Sequence, residues 1–144
     1  MPALAWQLPA LLRRVDFISI GSNDLCQFLF ASDRGNPRIA ERYDVLSPAV
    51  LAFLRNVVAQ CTALGVPVTV CGEMAGRPLE AMALVGLGCR SLSMTSNAIG
   101  PVKEMIRSLD LGDLKDYLAQ IESAADHSLR GKLGTFARDH GIVI

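Results

Sequence analysis

Three short β-prone runs, each ended by a small polar cluster and parted by a helix-length stretch, constrain this chain most tightly. Phe17-Ile18-Ser19-Ile20 is closed by Gly21, and Val66-Pro67-Val68-Thr69-Val70 by Cys71-Gly72. A weaker run, Leu92-Ser93-Met94-Thr95, follows Arg90-Ser91. Pro67 fits only the opening of its strand, where a missing donor is tolerated. Ser47-Pro48 supplies an N-cap and a first-turn proline. Val50, Leu54, Val57, Val58 and Cys61 then recur at helical spacing until Gly65 stops the run. Pro78 opens a second helix to Leu87, apolar almost all round and therefore deeply buried. A third takes Ile99, Val102, Met105, Ile106 and Leu109 as its inner stripe, with Lys103, Glu104 and Arg107 outside. Leu114, Leu118 and Ile121 mark a fourth helix, and Leu129, Leu133, Phe136 and Ala137 a fifth.

Strands that alternate with helices pair in parallel through crossovers, the plan of doubly wound sheets and of (β/α)8 barrels. Three strands fall short of a barrel of about 250 residues, so the chain reads as a piece of something larger. With 51% apolar residues among 144 it can build a core. Fourteen basic and fourteen acidic side chains leave no net charge, which argues against a general grip on nucleic acid or anionic membrane. No apolar run reaches the roughly 18–20 residues of a membrane span, and the N-terminus lacks the basic start of a secretory signal. Cys26, Cys61, Cys71 and Cys89 are too scattered for a zinc knuckle or a C-x-x-C pair, pointing to a reducing, cytoplasmic setting.

Parallel α/β folds place ligands at the carboxyl ends of their strands. The segments just past the three runs are Gly21-Ser22-Asn23-Asp24, Cys71-Gly72-Glu73 and Thr95-Ser96-Asn97, all small and polar and all due to share one face. Asp24 is either a hard oxygen ligand suited to Mg2+ or a helix-start carboxylate favoured by the dipole. Asn23 either orients a substrate oxygen or caps the helix. Arg34, in the polar loop Asp33-Arg34-Gly35-Asn36-Pro37, has a donor fork for phosphate or carboxylate, although a lone surface arginine is more often simply solvated. Cys71 ends a buried strand beside Gly72. A thiol of ordinary pKa, about 8.5, is protonated at neutral pH and can act as a general acid, whereas Cys26, Cys61 and Cys89 read as packing. His127 and His140 lie in the polar C-terminal region and read as solvated or structural, which supports neither a zinc site nor a Ser-His-Asp triad.

Several segments carry a family likeness in order: Asp16-Phe17-Ile18-Ser19-Ile20-Gly21-Ser22-Asn23-Asp24-Leu25, then Asp33-Arg34-Gly35-Asn36, then Cys71-Gly72-Glu73-Met74-Ala75-Gly76, then Leu92-Ser93-Met94 ahead of Ile99-Gly100-Pro101-Val102-Lys103. Together they resemble the PEP-utilising domain of Enzyme I, the phosphoenolpyruvate–protein phosphotransferase of the bacterial phosphotransferase system. Ser22 to Phe30 and Gly76-Arg77-Pro78-Leu79-Glu80 look most like its nitrogen-related form. The resemblance implies the C-terminal part of a (β/α)8 barrel over residues 1–109, with a helical extension over 110–144. It implies that Asp24 binds the Mg2+ that holds PEP, that Asn23 and Arg34 contact its phosphate, and that Cys71 protonates C3 of the enolate to give pyruvate. Glu73 would support the site. It places the second metal carboxylate just before Met1, and further PEP-binding arginines and the phosphorylated histidine also outside these residues. The fragment alone is therefore expected to be inactive. An HPr-like phosphocarrier is the implied acceptor. Exposed sheet edges and the family's barrel contacts imply a homodimer or swapped oligomer. Arg77 stands where many relatives have Asp, so the helix after it loses a capping oxygen. The neighbouring possibilities are a pyruvate–phosphate dikinase or PEP synthase, which share the Cys-Gly-Glu motif, and a non-catalytic dimerisation module. The Asp33-Arg34-Gly35-Asn36 loop and Ala75-Gly76 favour Enzyme I.

Overall fold

The structure, a computed structural model, describes residues 1–33, 35, 36, 38 and 43–144. A 3-10 segment, Pro2–Gln7, leads into the short helix α1 (Leu8–Leu11). Strand β1 (Ile18–Gly21) passes directly into α2 (Ser22–Leu29). Helix α3 (Pro48–Ala63) precedes β2 (Val68–Cys71), and the single turn α4 (Glu73–Gly76) and helix α5 (Pro78–Gly86) follow it. Then come β3 (Ser91–Ser93), α6 (Ser96–Arg107), α7 (Leu111–Ile121) and α8 (Arg130–Asp139). Among the described residues no helix is long and apolar enough to cross a membrane.

The strands form one parallel sheet in the order β1-β2-β3. Ile18 pairs with Val68 and Gly21 with Cys71, while Cys71 also pairs with Ser93. All three carboxyl ends therefore lie along one edge, as the sequence predicts for parallel strands. Pro67 sits just outside β2, and its carbonyl accepts from the Ile18 amide at 2.8 Å. That position asks for no proline N–H.

The helices form where their apolar spacing requires. The Ser47 hydroxyl accepts from the Val50 amide, and α3 buries Val50, Leu51, Leu54, Val57, Val58 and Cys61. Helix α5 buries Ala81, Met82, Ala83 and Leu84 completely. Its Gly86 is a point of close approach: a Cβ there would run into the side chains of Leu114 and Leu118 on α7. Leu129, Leu133, Phe136 and Ala137 join the same core as Val70 and Leu54. One expectation fails on α6. Val102 and Met105 are buried, but Ile99 and Ile106 are exposed and line a groove beside β3. An apolar stripe marks a face that excludes water once something covers it, and here Val102, Met105 and the half-buried Leu109 meet the core while Ile99 and Ile106 do not.

Candidate active site

Strand β2 lies in the middle of the sheet, so its carboxyl end is fixed from both sides. There the chain turns through Gly72 at φ +110° and ψ −172°, a conformation nearly confined to glycine. A side chain could not fit in any case, because a Cβ on Gly72 would lie 2.6 Å from Ser22 Oγ and 3.1 Å from Asn23 Oδ1. The glycine lets the start of α2 close onto the end of β2. Ser22, almost fully buried, donates its hydroxyl to the Cys71 carbonyl at 2.9 Å. The Glu73 amide donates to Asn23 Oδ1 at 3.4 Å.

Asn23 is thus a cap, but not of its own helix. The N-cap of α2 is Gly21, with no side-chain hydrogen bond, and the Asn23 carbonyl meets the first amide of α4 instead. With Oδ1 so engaged, the side-chain NH2 is the end left to reach a ligand. Cys71 is half-buried, its Sγ 3.9 Å from the Ser19 hydroxyl on the neighbouring strand. Asp24 is exposed in the first turn of α2 and lines a groove with Ser19 and Gly21. Among the described residues no three His, Cys, Asp or Glu side chains gather as a metal cage. Asp24 therefore fits Mg2+ as one hard ligand of several, not as a complete site. Arg34 lies outside the described residues. The third strand end is tied in by packing, since a Cβ on Gly76 would sit 3.2 Å from Ala98 and 3.4 Å from Met94.

Asn23 and Glu73 also open onto a cleft of about 720 Å3, lined further by Cys26, Tyr43, Asp44, Arg77 and Arg130. Glu73 is exposed and pairs with Arg77 at 2.8 Å. Arg77 is the N-cap of α5 and makes no capping hydrogen bond, as its side chain requires. Burial pushes the Cys26 and Cys89 thiols up to about 11 and raises that of Cys61, in keeping with packing roles. All four cysteines are free. His140 stacks on Phe136 and its Nδ1 lies 2.9 Å from the Phe136 carbonyl, a structural placement.

Sequence reading placed Ser22 at the strand end without a role of its own, and missed Asp44, Glu80 and Arg130. Glu80 is only 2% exposed, and its Oε1 accepts from Arg130 Nη2 at 2.8 Å. A local signal existed for it alone. A glutamate inside a helix apolar almost all round needs a buried cation.

The family described as PEP-utilising enzyme, PEP-binding domain, matches residues 1–111. A "Phosphoenolpyruvate-dependent phosphotransferase system" protein of Escherichia coli K12 is 40% identical over 138 residues, covering 96% of this chain and 18% of that protein. A "Phosphoenolpyruvate-protein phosphotransferase" of Cupriavidus necator is 40% identical over 126 residues, 88% of this chain and 22% of that one. A "Multiphosphoryl transfer protein" of Xanthomonas campestris is 43% identical over 120 residues, 83% of this chain and 14% of that one. The chain thus spans about a fifth or less of the length of these relatives.

Proposed function

We propose, from the premise that this chain belongs to the PEP-binding domain family of the PEP-utilising enzymes, that it forms part of the substrate site of a phosphoenolpyruvate–protein phosphotransferase. The observation that carries the reading is the closure of α2 onto the Cys71-Gly72-Glu73 turn. It seats Asn23 on the Cys71-Gly72-Glu73 turn, at the carboxyl edge of a parallel sheet.

Asn23, held by the Glu73 amide, offers its NH2 to a phosphoryl oxygen, and Arg34, from the Asp33-Arg34-Gly35-Asn36 motif, supplies a cationic fork. Cys71 is the proton donor. As the bond between the enolate oxygen and phosphorus breaks, the phosphoryl group passes to a histidine outside these residues. The enolate carbon C3 takes the thiol proton, giving pyruvate and a thiolate that regains its proton from water. Mg2+, when bound, would neutralise charge on the phosphoryl and carboxylate oxygens, with Asp24 among its ligands. Glu73 holds Arg77 rather than reaching for substrate. The phosphoryl group would leave for an HPr-like carrier in the cytoplasm.

The barrel reading is supported by both sheet edges. The open side of β1 is a groove lined by Met1, Leu4, Leu8, Phe17 and Phe28, and that of β3 by Leu92, Met94, Ile99 and Ile106. Further βα units would cover both. Alone, the chain should self-associate, and a monodisperse monomer in light scattering would count against this.

The deciding experiment incubates the full-length protein with Mg2+ and PEP labelled in its phosphoryl group. Label on the protein is expected, and Cys71→Ala should lose pyruvate formation by about 10²-fold or more while still binding PEP. A folded wild-type protein that takes up no label refutes the reading.

A further inference from the structure

The C-terminal segment beyond the family's match holds the cleft together from outside. Ser128 Oγ donates to Asp44 Oδ2 at 2.7 Å, and the Leu129 amide donates to the Leu46 carbonyl at 2.9 Å. Arg130 forks onto the same carboxylate, Nε to Oδ2 at 2.8 Å and Nη2 to Oδ1 at 2.9 Å, and Nη2 also reaches Glu80 at 2.8 Å. Leu129 is fully buried, which seats the arginine at the head of α8.

Two segments meet on this one guanidinium. Asp44 stands just ahead of α3. Glu80 belongs to α5, and Arg77, 4.0 Å from Glu80, passes the connection on to Glu73 beside the Cys71-Gly72 turn. Among the described residues the buried Glu80 carboxylate has no other cation so close, and losing Arg130 leaves it facing Arg77 at 4.0 Å. Burial pushes the Asp44 carboxyl up, yet the hydrogen bonds from Arg130, the Leu46 amide and Ser128 prevail and hold it at about 2. Asp44, Arg130, Arg77, Glu73 and Asn23 all line the same cleft.

We propose that Arg130 is a positioning residue for the phosphoenolpyruvate site, pinning Asp44 against Glu80 and, through Arg77 and Glu73, steadying the turn that holds Asn23. The proposal rests on the reading of the site given above. Cys71 is placed by the sheet and by Ser22, so the chemical step does not depend on the latch. Phosphate capture by Asn23, which the Glu73 amide holds, does.

The test is PEP–pyruvate exchange by the full-length protein. Arg130→Met should raise KM for PEP about tenfold and leave kcat within about twofold, since loosened positioning weakens binding ahead of proton transfer. Arg130→Lys, which keeps the charge but loses the fork, should recover part of that KM. Asp44→Asn should raise KM in the same direction, and the double variant should be no worse than Arg130→Met alone. A merely structural arginine would lower kcat in step with the folded fraction and leave KM unchanged, and that result overturns the proposal. Should Arg130→Met fail to fold, Asp44→Asn carries the same two outcomes. A wild-type protein inert in exchange refutes the phosphotransferase reading and this role with it. An active wild type with unmoved KM in the variants refutes this role alone.

Discussion

Gly72→Ala is the substitution whose cost the structure defines best. The residue sits at φ +110°, where a backbone bearing a Cβ is strained by about 2 kcal/mol. The new methyl would lie 2.6 Å from Ser22 Oγ, and Ser22 is too buried to swing into solvent. The hydroxyl must give up its 2.9 Å bond to the Cys71 carbonyl, a further loss of about 1 kcal/mol. The expected total is about 3 kcal/mol. Urea unfolding followed by circular dichroism measures it, with the midpoint falling and the slope preserved. Ser22→Ala separates the two parts. Alone it costs about 1 kcal/mol for the lost bond. In that background Gly72→Ala should cost only the backbone strain, about 2 kcal/mol. Strict additivity of the two substitutions, or a Gly72→Ala cost below about 1 kcal/mol, would refute the argument that α2 closes on this turn by contact.

Three further outcomes follow from the packing. The Asp44 carboxyl is held below its ordinary value, so the stability it contributes is complete above about 3.8 and is lost as pH falls toward about 2. After solvent screening the loss is on the order of 1 kcal/mol, and Asp44→Asn should flatten that limb of an acid-unfolding curve. Gly86→Val should destabilise by about 1–3 kcal/mol in thermal melts, because the added atoms overpack Leu114 and Leu118. In timed labelling with a disulfide reagent at pH 8, the half-buried Cys71 should react ahead of Cys61 and Cys89, whose thiols are buried and pushed up. Mass spectrometry of the digested protein reads the order.

The strand ends were legible because a parallel sheet leaves its sequence little freedom. A β-prone run must stop where the chain turns away, and Gly21 and Gly72 mark two of those points. Helix faces were legible where the core covers them, as with Leu54 and Val58 on α3 or Leu114 and Leu118 on α7. They misled at Ile99 and Ile106, because periodicity reports a hydrophobic face and says nothing about which neighbour meets it. For Asn23, a cap was a sound reading on local rules, but the helix it serves starts fifty residues further along. The pairing of Arg130 was invisible for the same reason, although Glu80 alone signals the need for a cation. Its partners stand 86 and 50 residues away, and short-range patterns carry no trace of such pairs.

The spacing of the strands also orders the assembly of the fold in time. β2 finds β3 across 22 residues, from Thr69 to Ser91, but finds β1 across 50, from Ile18 to Val68. Chain entropy then favours the β2–β3 closure by roughly 0.7 kcal/mol, a head start of about threefold. The Cys71-Gly72-Glu73 turn is therefore made in the first nucleus, and Ser22 and Asn23 dock onto it afterwards. On this view the site is started early, at its turn, and completed only when β1 and α2 join the sheet. Conservative substitutions at Val70 should slow folding, and those at Ser22 should chiefly speed unfolding.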